Sequence, residues 1–569
     1  MKNRKRNPVE ERTTLMRFLL LCLLLMFNAA VMPAHAEDEA VGSSVDVTEA
    51  EETAAVPLPD DFNGLVAALV DADFEQRQLI VQKLATLTDK RSLLLLTALA
   101  DTRLNSTSDT PARIVIVEEG NDPEALDALT GEKLGKASAL TLDSIPVNNS
   151  LRGQLRTLLA RLQLNADDAS VRLAAAKQLI AADTDADMIP LLKERLKSES
   201  SSKVQDALKT VLAMADIASA DAAVRKAAVE QLSGSLYPEV RAKLEDVAEN
   251  DSDPEVKSAA TVALATVADK IAFYGFMENL FFGLSLGSVL LLAAVGLAIT
   301  FGVMGVINMA HGELIMLGAY TTYVMQQLMP DSIGASLLLS IPAAFLVSAL
   351  VGIAIERGVI RFLYGRPLET LLATFGISLV LQQAVRSIFS PLNREVASPA
   401  WMSGSLEINP VWSLTYNRLT ILGFSLLVFF IIMLVMKRTT LGLKLRAVAQ
   451  NRAMARAVGV RASWVDALTF GLGSGIAGVA GVALSQLTNV GPNLGQGYII
   501  DSFMVVVFGG VGNLWGTLVG ALGLGVFNKF LEPYAGAVLA KILVLAFIIL
   551  FIQKRPRGLF PQKGRAAEA

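Results

Sequence analysis

The feature that most restricts how this chain folds is a succession of apolar runs that begins after Lys270 and continues almost to the end. They fall at about 279–301, 312–329, 335–356, 369–389, 418–436, 464–488, 498–511, 513–530 and 535–552, with short polar loops between them. About 20 apolar residues cross ~30 Å of hydrocarbon as a helix, and in lipid a backbone must satisfy its own N–H and C=O groups. The expected fold class is therefore all-α, a polytopic helical membrane bundle of eight or nine spans. The 498–511 run is short and glycine-rich, and reads as a half-span or re-entrant piece.

The part before these runs has a different composition. Residues 37–276 hold 24 basic and 41 acidic groups, whereas residues 277–569 hold 20 and 11. An acidic water-soluble block is thus joined to a basic membrane block. Nucleic acid is not an expected partner, because the basic residues are not on the soluble part. A mean hydropathy of +0.48 excludes an ordinary cytosolic enzyme. Cys22 is the only cysteine, and His35 and His311 are the only histidines. Disulfide frameworks, cysteine–histidine metal sites and cysteine nucleophiles are excluded by counting. No metal, no cofactor and no enzymatic activity is expected.

The first residues read as an export leader. Lys2, Arg4, Lys5, Arg6, Arg12 and Arg17 precede the apolar stretch Phe18 to Val31, and Ala34-His35-Ala36 supplies a small-x-small cleavage site before acidic residues. The expected organisation is a signal peptide at 1–36, cleaved after Ala36, and a flexible lead-in at 37–60. An exported helical domain at 61–276, a transmembrane domain at 277–553 and a cytoplasmic tail at 554–569 follow. In the helical domain one phrase recurs, as Val171-Arg172-Leu173-Ala174-Ala175, Val224-Arg225-Lys226-Ala227-Ala228 and Val256-Lys257-Ser258-Ala259-Ala260. Helical phrases 30 to 50 residues apart suggest stacked helix pairs of the HEAT type. Ile114-Val115-Ile116-Val117, followed by turn residues, predicts a small β-hairpin insert over about 110–146.

Loops rich in Lys and Arg stay cytoplasmic. Three segments qualify: 357–367, the tail, and 437–463, which carries seven basic residues and no acid. Starting outside, all three fall inside, which places the acidic block in the periplasm and the protein in a bacterial inner membrane. Glycines 471, 473, 475, 478 and 481 read as close helix packing. Gly509-Gly510-Val511-Gly512-Asn513 reads as a helix break that opens backbone groups, and Asn513, to a cavity. On the 369–389 helix, Thr374, Ser378 and Gln382 recur every four residues and form one polar stripe about 12 Å long. The stripe serves either interhelical hydrogen bonds or a solute path.

At Asn308-Met309-Ala310-His311-Gly312-Glu313 the sequence resembles the membrane permease subunits of ABC importers for branched-chain amino acids. The likeness continues at Ile355-Glu356-Arg357, at Leu371-Leu372-Ala373-Thr374-Phe375-Gly376, at Arg452-Ala453-Met454-Ala455-Arg456-Ala457-Val458-Gly459, and at Phe508-Gly509-Gly510-Val511-Gly512-Asn513. The long exported extension and the ending Lys554-Arg555-Pro556-Arg557-Gly558-Leu559-Phe560 look like the urea-importer branch of that family. The resemblance implies ATP-driven import of urea or a related small polar solute. The alternatives are a branched-chain amino acid importer permease or a passive small-solute channel. It also implies four partners: cytoplasmic ABC ATPase subunits, a second homologous permease subunit, a periplasmic substrate-binding protein and membrane lipid. The chain has no G-x-x-x-x-G-K-[ST] phosphate loop, so ATP would be handled by another chain. Expected roles are ATPase docking for Arg446, Arg452, Ala455, Arg456 and Gly459, and a gate or coupling element for His311 and Glu313. The solute path is expected along Thr374, Ser378, Gln382, Asn308 and Asn513.

Overall fold

The computed structural model describes residues 59–70, 72–87, 90–107, 113–118, 123–181 and 188–560. The expected leader, nearly all of the lead-in and the end of the tail lie outside the described residues. The chain divides into two units between Leu65 and Val66. Of the first, only the start of helix α1 (Phe62–Ala68) is described. All later helices and strands belong to the second.

Helices α2 (Phe74–Thr86) and α3 (Lys90–Ala100) lead to a sheet, and α4 (Asn149–Gln163), α5 (Ala169–Ile180), α6 (Met188–Ser198), α7 (Ser202–Asp216), α8 (Ala222–Leu232) and α9 (Pro238–Asn250) follow it. Helix α10 (Pro254–Met304) then runs for 51 residues without interruption. Its first turns bury Val256, Ala260, Ala263 and Val267 in the apolar core of the helical block, and its last turns bury Ser285 to Thr300 in the membrane bundle. The composition boundary near 276 therefore lies inside one helix.

The phrase repeated in the sequence is also a repeated physical device. Asp168, Asp221 and Asp253 cap α5, α8 and α10 by accepting the backbone N–H two residues on, at 2.8, 2.9 and 2.8 Å. Four residues after the first two caps stands an arginine. Arg172 takes the Ala166 and Asp167 carbonyls with one nitrogen and grips Glu199 with the other two, both at 2.8 Å. Arg225 does the same to the Ser219 and Ala220 carbonyls and to Asp251. Each arginine thus ties a helix start to the loop that closes the following helix. Lys257, at the third position, reaches only the Glu249 carbonyl.

The hydrogen bonds from Arg172 hold the Glu199 carboxyl well below its ordinary value of 4.5, at about 2. A carboxyl whose folded pKa is depressed contributes stability that is present above pH ~4.5 and lost as the pH falls toward 2. Glu199→Gln should lower the thermal midpoint of the helical block by about 5–10 °C at neutral pH. It should also flatten the loss of stability between pH 4.5 and 2. Thermal melts of the full-length protein at pH 7 and between pH 4.5 and 2, with hydrogen exchange over 150–250 locating the change, measure both, and an unchanged acid profile would remove this role from the pair.

The expected hairpin is a five-stranded antiparallel sheet. Strands β1 (Leu104–Thr107), β2 (Ile114–Val117), β3 (Glu124–Asp127), β4 (Lys133–Lys136) and β5 (Leu142–Ser144) take the order β4-β3-β2-β1-β5. Only β2 carries the β-branched run that marks a strand in sequence. The others are recruited by pairing to it, directly or in turn, with Val115 facing both Asn105 and Asp127.

The membrane part continues with α11 (His311–Leu328), α12 (Ile333–Gly358), α13 (Pro367–Phe389), a hairpin of β6 (Ser405–Asn409) and β7 (Trp412–Thr415), and α14 (Tyr416–Arg438). After these come α15 (Thr440–Gln450), α16 (Arg452–Ala457), α17 (Ala462–Ser485), α18 (Gln496–Gly509) and α19 (Leu514–Lys554). Among the described residues, six helices are long and apolar enough to cross a membrane. Helices α11 and α18 are not among them, the second being only 14 residues long. Helix α19 is not one rod. Gly536, at φ 74° and ψ 160°, reverses it, and the Phe527 and Phe547 ring centroids come within 5.4 Å of each other. A straight helix would separate those rings by about 30 Å. The chain is a multi-pass helical membrane protein in which α10 and α17 form the buried centre. Helices α12, α13, α14 and α19 present apolar outer faces, such as Leu350, Leu372, Phe430 and Ile549.

Candidate functional site

Helix α10 stops at Gly305, and residues 305–310 are non-helical before α11 starts at His311. This connection is stapled to α13. Thr374 accepts the Met309 N–H at 3.1 Å and lies 3.4 Å from the Ile307 carbonyl. Asn308 folds back to accept the Ala310 N–H at 3.0 Å, and its buried side-chain nitrogen has no partner.

One turn further into the bundle, Glu313 of α11 meets the stripe on α13. Its Oε1 accepts the Ser378 hydroxyl at 2.9 Å and the Gln382 amide at 2.7 Å. Its Oε2 is buried with no hydrogen-bond partner. Thr374, Ser378 and Gln382 are all buried, while Leu372, Phe375 and Leu379 on the other face of α13 are exposed. Ser378 and Gln382 lie about 16 and 22 Å along the 23-residue α13 from its start. Glu313 stands in the first turn of α11, and the non-helical stretch 305–310 brings that turn beside the middle of α13.

His311 and Glu313 have different partners. Two residues apart on a helix, they point in opposite directions. The His311 Nε2 is 2.9 Å from the Ala293 carbonyl of α10, its Nδ1 has no partner, and the ring is fully buried. It staples α11 to α10, while Glu313 faces α13.

Asn513 does not join this cluster. Its Oδ1 caps α19 through the Trp515 and Gly516 N–H groups, and its amide donates to the Phe560 carbonyl at 3.2 Å. The glycine break at 509–513 is present, with Gly510 and Gly512 at positive φ. The tail lies across it. Leu559 and Phe560 donate their N–H groups to the Phe508 and Gly509 carbonyls.

The basic segment 437–463 folds as α15 and α16. Gly459, at φ 90°, closes α16 with two reverse-turn bonds, its own N–H to Arg456 and that of Val460 to Ala455. Arg456, Met454 and Val458 are exposed, and Ala455 is buried beneath them. Two of the arginines grouped with this surface in the sequence are engaged elsewhere. Arg446 donates to the Met436 carbonyl at 2.7 Å, and Arg452 pairs with the buried Asp466. Asp466 and Tyr364, beside Arg452, were not singled out by sequence reasoning. The available signal was a lone acid in the apolar run 464–488, since an ionisable residue in such a run needs a partner.

A family profile described as branched-chain amino acid transport system / permease component matches residues 279–552. The chain is 32% identical over 297 residues to the high-affinity branched-chain amino acid transport system permease protein BraD of Pseudomonas aeruginosa. That alignment covers 96% of the relative and 50% of this chain. The chain belongs to the branched-chain amino acid permease family. The permease protein LivH of Escherichia coli aligns at 30% identity, with the same coverage of both chains. The ribose import permease protein RbsC of Escherichia coli aligns at 26%, covering 89% of itself and 51% of this chain. No solved structure matches this chain. Alignment of nearly the whole of BraD and LivH to half of this chain leaves the helical block as an addition to the family's shared bundle.

Proposed function

We propose that the chain is a permease subunit of an ATP-driven ABC importer, carrying a small polar solute from the periplasm to the cytoplasm, and that it is not an enzyme. One observation carries this reading. A single bundle holds a buried polar cluster, Glu313 with Ser378 and Gln382 on α13, and an exposed platform of Met454, Arg456 and Val458 at its basic end. The platform suits a cytoplasmic ATPase, and the cluster suits a solute that sheds its water inside the bundle. A second homologous permease subunit and a periplasmic binding protein complete the importer. The helical block, read as a HEAT-type solenoid, faces the periplasm, and nine crossings join its outside start to an inside tail. Alkaline phosphatase fused after Asp269 should be active in cells. An inactive fusion alongside an active cytoplasmic reporter at the same position would reverse this topology.

For the substrate, the names of BraD and LivH favour a branched-chain amino acid. Urea is the second reading, favoured by the helical block that those relatives lack and by the chemistry of the cluster. The free Glu313 oxygen is an acceptor and the free Asn308 nitrogen a donor. Urea offers amino donors and a carbonyl acceptor to match them without carrying a charge. Labelled leucine and labelled urea, given to cells deprived of their own carriers, separate the two. Saturable leucine uptake blocked by unlabelled isoleucine supports the first reading. Urea uptake indifferent to isoleucine supports the second, and uptake of neither contradicts import of both classes.

A further inference from the structure

Four elements meet around one tyrosine at the basic end of the bundle. Tyr364 lies in the connection between α12 and α13, three residues before α13 begins. Its hydroxyl donates to Glu356 Oε1 at 3.2 Å, and the Arg452 guanidinium lies over its ring at 4.7 Å. Arg452 opens α16 but turns inward. One of its nitrogens is 3.3 Å from Asp466 Oδ1 and a second bonds to Oδ2. Arg357 stands 3.7 Å from Glu356 and lies over the Trp464 ring at 4.5 Å. Glu356 closes α12, Asp466 opens α17, and both carboxylates are buried.

A buried ion network is weak evidence for stability, since apolar residues of the same volume do as well or better. Its better-attested use is to hold one arrangement of parts. Here the parts are the exposed docking helix α16, the central helix α17 and the segment that starts α13. From that segment the connections continue without a gap. Thr370 ties to the Arg366 carbonyl at 2.8 Å, Thr374 takes the Met309 N–H, and Ser378 and Gln382 hold Glu313. Helix α13 is otherwise largely uncovered, with Leu368, Leu372, Val380 and Ile388 exposed. It is a rod about 22 Å long from its start to Gln382, held along one side by these polar points together with the packing of Ile377 and Leu381.

The geometry points to Tyr364, Asp466, Glu356 and Arg452 as a relay that transmits displacement of α16 to α13 and so to the polar cluster of Glu313, Ser378 and Gln382. These are positioning residues, and they act through α13. The inference rests on the importer reading and adds the route by which nucleotide state reaches the solute path. A spatial chain alone does not demonstrate coupling, so the test must read motion at its far end.

The full chain is assembled with its ATPase, second permease and binding protein in nanodiscs. Cys22 is replaced by serine, and a spin label is placed on Gly376→Cys, where a Cβ meets nothing within 4 Å. In the parent, ATP should change the label's mobility. In Asp466→Asn and Tyr364→Leu that change should vanish and uptake should fall at least 10-fold, while the ATPase still copurifies and hydrolyses ATP. Tyr364→Phe keeps the ring under Arg452 and should stay within about threefold of the parent. An ATP-dependent signal retained in whichever of the two disruptive variants assembles, or loss of copurification in both, overturns the relay. Failure of the parent itself to bind an ATPase overturns the importer reading and the relay with it.

Discussion

Gly318→Ala and Gly481→Ala are each expected to remove most folded protein from the membrane, although alanine is the better helix former. At Gly318 an added Cβ falls 2.0 Å from the Gly478 carbonyl oxygen, and at Gly481 it falls 2.0 Å from that of Ile315. Ordinary contacts of this kind are near 3.4 Å, so α11 and α17 must separate by more than 1 Å, and neither obstacle is a flexible side chain that could swing away. Helix α17 cannot yield on its other sides. Gly473 meets Gly296 of α10, and Gly478 meets the Ala344 carbonyl of α12. In lipid, where close backbone approach replaces hydrophobic drive, losing that contact removes much of what holds the helices together. Overpacking costs about 1–3 kcal/mol at a single site and more where two backbones are forced apart. Gly376→Ala and Gly523→Ala meet nothing within 4 Å and should be neutral or slightly stabilising. Fluorescence-detected gel filtration of the four variants in mild detergent reads the difference. Equal monodisperse yields from all four would mean that α11 and α17 do not cross at these glycines.

The second large effect is expected at the polar cluster. Gln382→Leu and Ser378→Val, made singly, should each lower uptake about 10-fold or more, with expression and ATPase copurification preserved. Each removes one of the two donors to Glu313 Oε1, Gln382→Leu at nearly constant volume and Ser378→Val with one methyl-sized group added, and leaves the buried carboxyl with less to hold it. Hydrogen bonds between membrane helices are worth only ~0.6–2 kcal/mol, so neither change should unfold the protein. The outcome that separates a solute path from interhelical bonding is the direction of loss. A path residue lowers transport at unchanged thermal stability, whereas a purely structural bond lowers stability at unchanged transport per folded molecule. Parental transport in both variants would place the path on another face.

Much of this arrangement was legible in the sequence, because it depends on short-range periodicity. Thr374, Ser378 and Gln382 stand four residues apart, so they share one face of any helix they form. The apolar runs require membrane helices whatever their packing, and Asp-x-x-Val-Arg at 168–172 and 221–225 announces two helices that start alike. What was not legible depends on where distant parts of the chain meet in space. The partner of the stripe, Glu313, is 65 residues from Ser378, and the non-helical stretch 305–310 is what brings it there. Arg452 read as a docking charge because nothing local pairs with it, while its acid lies across a turn at Asp466. Asn513 and its glycines read as an opening because the tail that lies across them stands far along the chain, at Leu559 and Phe560. Composition shifted near residue 276, but helix propensity did not, and α10 passes through that point unbroken.

The most direct test of the importer reading is ATP-dependent uptake by the purified complex in sealed proteoliposomes, with binding protein outside and nucleotide inside. Labelled leucine and labelled urea are supplied in separate arms. Accumulation of either above its outside concentration, only with ATP and only with the ATPase present, is the expected result. Equilibration of the label at the same rate without ATP would show a passive channel and contradict an ATP-driven permease.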